Sequence, residues 1–291
     1  MKAIYDVPAP AKLNLFLHVT GRRPDGMHLL QSVFMLIDWR DTLHFESRPG
    51  GELSREDLTK PLPEDDLVLR AARALQLASG STLGAHISIE KRIPEQAGMG
   101  GGSSDAATCL LALNRLWDLD LPLSALAAIG VSLGADVPFF LGGRNAWVEG
   151  IGEKLTPVDV PRSRFAVVKP PEGLPTAAIF SHARLTRDSE PAIISGFAAN
   201  PLAFGRNDLQ GVAKELCPGV TQALDWLGSL GLNGRMTGSG SAVFAPLAPG
   251  QTLEAAPEKW LADGWQFREC GNLVAHPLAG WASSDGISVG G

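Results

Sequence analysis

The segment from Ile93 to Ala106, Ile-Pro-Glu-Gln-Ala-Gly-Met-Gly-Gly-Gly-Ser-Ser-Asp-Ala, constrains the fold of this chain more than any other. The alternating stretch His86–Ile93 reads as a strand that Pro94 ends. Glu95, Gln96 and Ala97 lead into a five-residue glycine-rich run, Gly98, Met99, Gly100, Gly101 and Gly102. Ser103-Ser104-Asp105 then opens a helix expected from about Ser104 to Trp117, with Ala106, Leu110, Leu113 and Trp117 on one face. Glycines let successive backbone N–H groups converge on one point, and a helix N-terminus adds free donors and partial positive charge. The hydroxyls of Ser103 and Ser104 can donate to phosphate or contact a metal. A glycine run alone is also compatible with a flexible loop before an ordinary helix. Strand, run, double serine and amphipathic helix in that order favour a phosphate cradle. No Gly-Lys-Ser/Thr follows, so it is not the common P-loop, and Ser103 replaces the third glycine of the dinucleotide fingerprint.

Three further segments carry candidate chemistry. Lys12–Val19 alternates, with Leu13, Leu15, Leu17 and Val19 on one face and Lys12, Asn14, Phe16 and His18 on the other. The second face is either exposed or the wall of a polar site. Gly134-Ala-Asp136-Val-Pro138 holds an acid in a stiff turn, where it can cap a helix or accept a proton from a substrate hydroxyl. Gly234-Arg-Met-Thr-Gly238-Ser239-Gly240-Ser precedes a strand and offers a second set of backbone donors or a plain hairpin loop. Two glycine nests suit a ligand with two phosphate groups or two phosphorylated ligands. His18, His44, His86, His182 and His276 have no metal spacing, and Asn207-Asp208 is expected to cap a helix.

The 291 residues are 45% apolar and 19% charged, enough for a real core and long enough for two domains. We place the boundary in the proline-bearing stretch near 159, giving 1–158, 159–280 and a Ser/Gly-rich tail, 281–291, expected to be disordered. Residues 47–66 read as a loop, Asp66–Ala78 as a helix with Asp66 at its N-cap, and 134–143 as a turn region. A net charge of −6, with no basic stripe, argues against a nucleic-acid partner, so an anionic ligand must be held by local donors. The three cysteines form neither a metal pair nor a closed disulfide set. No apolar run approaches the roughly 20 residues needed to span a membrane. Lys12, Asn14 and His18 interrupt the one apolar stretch near the start, so a cytoplasmic protein is expected.

In this order the glycine and turn motifs resemble the kinase superfamily named for galactokinase, homoserine kinase, mevalonate kinase and phosphomevalonate kinase. The segment Pro10-Ala-Lys-Leu-Asn-Leu-Phe-Leu-His-Val-Thr-Gly-Arg-Arg-Pro-Asp-Gly-Met-His28 is similar to the signature of its 4-diphosphocytidyl-2-C-methyl-D-erythritol kinase family, of the non-mevalonate isoprenoid route. The resemblance spans most of 8–154, then 165–180 and 207–245. It implies an α+β, two-domain small-molecule kinase fold. The N-terminal domain is expected to be ribosomal-protein-S5-like, the C-terminal one ferredoxin-like, with the active site in the cleft between them. It implies ATP-dependent phosphorylation of the substrate's 2-hydroxyl, with Mg²⁺ on the phosphates. Lys12 and Asp136 become the catalytic pair, Pro94–Ser104 the ATP loop and Lys91 a nucleotide-pocket residue. Asn14, Met27, His28, Phe180, Gly238, Ser239 and Gly240 become substrate contacts, with His28 facing the cytosine and Phe180 stacking on it. The partners the resemblance implies are ATP and a cytidine diphosphate-linked polyol, with no nucleic acid, no membrane, and a monomer or weak homodimer expected. The family usually has an aromatic at Met27, a glycine at Gln96 and an asparagine at Asp66. The alternative is a kinase of the same superfamily acting on another small alcohol, such as homoserine or mevalonate.

Overall fold

The computed structural model describes residues 2–253 and 256–284. The first strand is far longer than the alternation at Lys12–Val19. β1 (Ala3–Arg22) and β2 (His28–Arg48) form a long antiparallel hairpin. Register shifts interrupt it, including one between Asn14 and Leu17. This bulge corrects the expected alternation. Phe16 turns into an apolar layer with Leu13 and Leu15, while Lys12 and Asn14 face a cleft.

The expected loop at 47–66 contains β3 (Leu53–Asp57), which pairs parallel with a later strand. Its polar composition, Leu-Ser-Arg-Glu-Asp, suits the sheet edge it occupies and hides it from apolar periodicity. α1 (Leu67–Ser79) starts at Asp66, whose carboxylate accepts the Leu69 N–H at 3.1 Å. The same carboxylate pairs with Arg55 at 2.6 Å. β4 (Gly84–Glu90) lies between β3 and β2.

α2 (Gly101–Leu116) begins three residues earlier than expected, so part of the glycine run is helix. Ser104–Asn114 of this helix is buried throughout, a wider buried surface than the single apolar face in the sequence. α3 (Leu123–Leu133) follows, and the expected turn at 134–143 holds a short helix, α4 (Val137–Gly142). β5 (Ala146–Glu149) and β6 (Lys154–Pro157) complete the sheet in the order β3-β4-β2-β5-β6, with β1 on β2. Phe34, Leu36, Phe45 and Ile87 of this sheet pack against Val68, Ala72, Leu110 and Leu113 of the helices. Each fully buried leucine or phenylalanine there contributes about 1.5–3 kcal/mol.

The second half centres on β7 (Arg164–Lys169). It continues through α5 (Thr176–Ser181), α6 (Ile194–Ala199), α7 (Gln210–Leu216) and α8 (Pro218–Ser229). β8 (Arg235–Met236), β9 (Val243–Leu247), α9 (Glu258–Ala262) and β10 (Gln266–Gly271) end it. The sheet order is β10-β7-β9-β8, all antiparallel. Val212, Val220, Ala223 and Leu227 cover one of its faces. A middle layer joins Leu13, Leu15, Met35 and Trp147 from the first half to Phe165, Val167 and Phe244 from the second. Asn207 and Asp208 do not cap α7. Asn207 Nδ2 donates to the Met236 and Gly238 carbonyls at 2.8 Å each, and Asp208 accepts the Val19 N–H at 2.8 Å.

After β10 the chain returns to the first half. Leu273 N–H donates to Leu36 O at 2.9 Å and His276 N–H to Gly143 O at 2.8 Å. Trp281 packs against the first core, and the Ser283 carbonyl accepts the Leu123 N–H at 2.9 Å. The start of the tail expected to be disordered is thus held in place; residues 285–291 lie outside the described residues. His276 is buried in this return, accepts the Leu278 N–H on Nδ1, and has no partner for Nε2 among the described residues. Burial pushes its pKa down to about 4, so the unfolded chain binds a proton there that the fold excludes. That contribution is complete above pH ~6.5 and is lost as pH falls toward 4, up to about 3 kcal/mol. Asparagine at 276 retains a short acceptor and cannot charge. Urea titrations at neutral and acid pH should therefore show a shallower acid loss for His276→Asn than for wild type; parallel losses in both would remove His276 as the cause.

Candidate active site

One cleft of about 860 Å³ lies between the two halves, and every expected site residue except Ser104 lines it. Its floor is β1. Lys12 is buried, and its backbone N–H donates to Met99 O at 3.0 Å, which ties the strand to the glycine loop. A Cβ on Gly100 would meet the Phe140 ring at 3.0 Å and Lys12 Cγ at 3.3 Å. Glycine at 100, with φ +72°, therefore lets the loop sit directly on the lysine.

Lys12 Nζ stands 3.6 Å from Asp136 Oδ2 and 4.5 Å from the centre of the Phe34 ring, and it donates to Asn14 Oδ1. Burial lowers its pKa from the ordinary lysine value, while Asp136 raises it in part. Asp136 occupies the N-cap position of α4, yet its side chain makes no capping bond there, so its carboxylate is available to the cleft. Asn14 is fixed by Ser32 Oγ, which accepts from its Nδ2 at 2.9 Å, and by Thr237 Oγ1, which accepts from its backbone N–H at 2.9 Å.

Glycine-loop residues 94–103 form one wall. The N-cap of α2 is Gly100 itself, so no side chain caps the first N–H groups of the helix. Ala97 and Met99 bury their side chains in the middle layer. Gln96 has φ +48°, a left-handed conformation that accounts physically for a glycine preference at that position. Glu95 pairs with Lys60 at 3.0 Å. One expectation changes here. Ser104 is fully buried, and its hydroxyl donates to Pro10 O at 2.6 Å, so it fastens α2 to β1 instead of reaching the cleft. Lys91 borders the cleft, with its ammonium held between the buried carboxylates of Asp41 and Asp105, the latter at 2.5 Å. Burial holds the Asp105 carboxyl well above the usual range, and Lys91 lowers it only in part.

The second glycine loop is not a separate nest. A Cβ on Gly98 would fall 2.2 Å from Thr237 O, and one on Gly238 would fall 2.7 Å from Gly98 O. The two loops touch backbone to backbone. Ser241 N–H donates to Gln96 O at 3.0 Å and Ala242 N–H to Ala97 O at 3.3 Å. Gly238, Ser239 and Gly240 continue the wall, and Ser239 Oγ lies 2.8 Å from Thr176 Oγ1 of α5.

The far end of the cleft gathers Met27, His28 and Phe180. Met27 is exposed at the rim, and the His28 and Phe180 rings lie 5.0 Å apart at 37°. Arg187 Nε donates to His28 Nε2 at 3.0 Å. The sequence motifs had not singled out Arg187, Ser32, Phe34 or Thr176; of the residues they missed, Thr237 alone lay inside a quoted motif. Among the described residues no group of three or more His, Cys, Asp or Glu is placed to hold a metal ion.

Comparison with known proteins agrees with this geometry. The family model described as GHMP kinases N terminal domain matches residues 66–144, and GHMP kinases C terminal matches 193–265. A 4-diphosphocytidyl-2-C-methyl-D-erythritol kinase of Albidiferax ferrireducens is 68% identical over 290 residues, covering 100% of this chain and 99% of that protein. A crystal structure of 4-(cytidine 5'-diphospho)-2C-methyl-D-erythritol kinase superposes with TM-score 0.77 at 35% identity, covering 93% of this chain and 99% of that one. A mevalonate kinase structure shares the fold, with TM-score 0.67 at 15% identity over 94% of this chain and 99% of its own. Similarity that runs from one end to the other at this level leaves one assignment: the chain belongs to the 4-diphosphocytidyl-2-C-methyl-D-erythritol kinase family of the GHMP kinases.

Proposed function

We infer that this chain transfers the γ-phosphoryl group of ATP to the 2-hydroxyl of 4-diphosphocytidyl-2-C-methyl-D-erythritol. The observation that carries the reading is Lys12 Nζ at 3.6 Å from Asp136 Oδ2, beside the glycine loop. Phosphoryl transfer needs in-line placement and charge stabilisation more than covalent help. Asp136 accepts the proton of the attacking hydroxyl. Lys12 orients that carboxylate and stabilises charge on the attacking oxygen or the γ-phosphate. The uncapped N–H groups at the start of α2 and the Ser103 hydroxyl bind phosphate oxygens. Asn14 holds the acceptor, and His28 and Phe180 receive the cytosine.

Mg²⁺ commonly keeps waters and substrate phosphates as most of its ligands, with one or two protein oxygens. Along this wall the Ser103 hydroxyl and the Glu95 carboxylate are the oxygens that would hold it. The ion supplies neutralisation of phosphate charge when bound. The −6 net charge suits small-molecule partners and no nucleic acid, and we place the enzyme in the cytoplasm as a monomer or weak homodimer. Among the described residues no helix is long and apolar enough to cross a membrane.

The homoserine or mevalonate alternative is disfavoured by the relatives' shared name and by the aromatic and histidine end of the cleft. A panel of these alcohols with ATP and Mg²⁺, read as ADP release, tests it. Turnover is expected with the cytidine diphosphate-linked acceptor; equal turnover with homoserine or mevalonate would sink the reading.

A further inference from the structure

The Arg187–His28 contact does more than join two surface loops. Arg187 lies beyond α5, and its guanidinium is held by the turn it follows. Nη1 donates to Leu185 O at 3.0 Å, and Nη2 donates to Phe180 O and His182 O at 2.9 Å each. The remaining Nε–H points at His28 Nε2, 3.0 Å away. An arginine side chain has donors and no acceptor, so the imidazole nitrogen it meets must carry a lone pair. A neutral imidazole with a lone pair on Nε2 carries its proton on Nδ1. Nδ1 has no hydrogen-bond partner among the described residues, and His28 lines the cleft beside Phe180. Burial, then the positive charges of Arg187 and Arg22, also hold His28 below the ordinary histidine pKa, so the ring stays neutral near pH 7.

We propose that Arg187 is a positioning residue that fixes His28 as the Nδ1–H tautomer and thereby selects cytosine over uracil. The proposal rests on the cytidine-linked substrate argued above. Cytosine N3 is an acceptor, whereas uracil carries a proton at N3. A ring locked as a donor satisfies the first and meets a second donor in the other. A site built around one hydrogen bond discriminates strongly because the wrong partner leaves a polar group unpaired. The same guanidinium fastens the carbonyl of Phe180, so one side chain sets both the stacking ring and the donor.

Two measurements on the full-length enzyme separate this role from simple loop support. The first is the nitrogen-15 NMR spectrum of the histidine side chains, with the His28 signal identified by its loss in His28→Gln. Wild type is expected to show protonated Nδ1 and bare Nε2 at pH 7 to 8. In Arg187→Met the ring is expected to titrate nearer the free value and to populate the Nε2–H form. An Nε2–H ring in wild type, or an unchanged ring in Arg187→Met, overturns the proposal. The second compares cytidine- and uridine-diphosphate-linked methylerythritol as acceptors. Arg187→Met is expected to lower the cytidine-to-uridine ratio of kcat/KM by on the order of tenfold, mainly through KM, with partial rescue in Arg187→Lys. Parallel losses on both acceptors, with the ratio intact, would show a loop prop and overturn the proposal. If wild type phosphorylates neither acceptor, the substrate reading fails and the selectivity claim with it, while the spectrum still decides the tautomer.

Discussion

Asp136→Asn is expected to lower kcat by about 10²–10⁴ while leaving the protein folded. The amide keeps the shape of the carboxylate but cannot take a proton from the attacking hydroxyl. The fold should tolerate it because the Asp136 side chain caps nothing at the start of α4. Lys12→Met keeps most of the buried stem and removes the charge 3.6 Å from Asp136, and a loss of similar size is expected. Two groups acting on the same proton should be non-additive, so the double variant should be little worse than either single one. The pH profile carries a second signature. Burial lowers the Lys12 pKa, so the alkaline limb of kcat should fall below the ordinary lysine value, and it should be absent from the residual activity of Lys12→Met. Single-turnover rates and thermal melts decide the matter. Near-normal chemistry in either folded variant would remove the pair from the mechanism.

How much of this site was legible in the sequence follows from what each residue needs. The glycine loop was legible because backbone convergence requires glycine locally, with no help from distant residues. Lys12 and Asp136 were legible as candidates because each sits in a distinctive local frame, a strand and a stiff turn. Their meeting at 3.6 Å is a property of the tertiary fold, and the resemblance to known kinases supplied that expectation. Ser104 was misread because helical phase places it on the inner side of α2, against Pro10, while its neighbour Ser103 faces the cleft. Without the true start of α2 at Gly101, that phase cannot be assigned. Phe16 was misread for a similar reason, since a bulge shifts a strict alternation by one place. Lys91 was placed beside the cleft, but the buried carboxylates that hold its ammonium lie at positions 41 and 105, too far away in sequence to read as partners. Arg187 sits in a polar stretch without periodicity, and only the folded turn gives its guanidinium direction. The second glycine loop reads from sequence as a donor set or a plain hairpin, and neither reading includes its contact with the first loop, which the glycines at 98 and 238 admit.

That interlock predicts the second large effect. Gly98→Ala is expected to lower Tm by roughly 5–10 °C and to raise the KM for ATP. Gly98 has φ +71°, which costs an L-residue about 1–2 kcal/mol before any contact is considered. The new methyl group would then lie 2.2 Å from Thr237 O and 2.9 Å from Gly240 N. Both are backbone atoms, so no rotamer change relieves the overlap; one loop must move. Movement breaks the bonds from Ser241 to Gln96 and from Ala242 to Ala97, which hold the phosphate wall against the second half of the molecule. Gly142→Ala serves as the control, because α4 gives that position ordinary helical backbone and a Cβ there meets nothing within 4 Å. It should melt at or slightly above the wild-type temperature, since alanine favours helix over glycine. Gly238→Ala approaches the same contact from the other side, at 2.7 Å from Gly98 O. Once either loop has been displaced, the second substitution has less left to disrupt, so the two losses should not add. A Gly98→Ala enzyme that keeps the wild-type Tm and ATP KM would mean that the loops do not interlock, and the phosphate wall would then depend on the first loop alone.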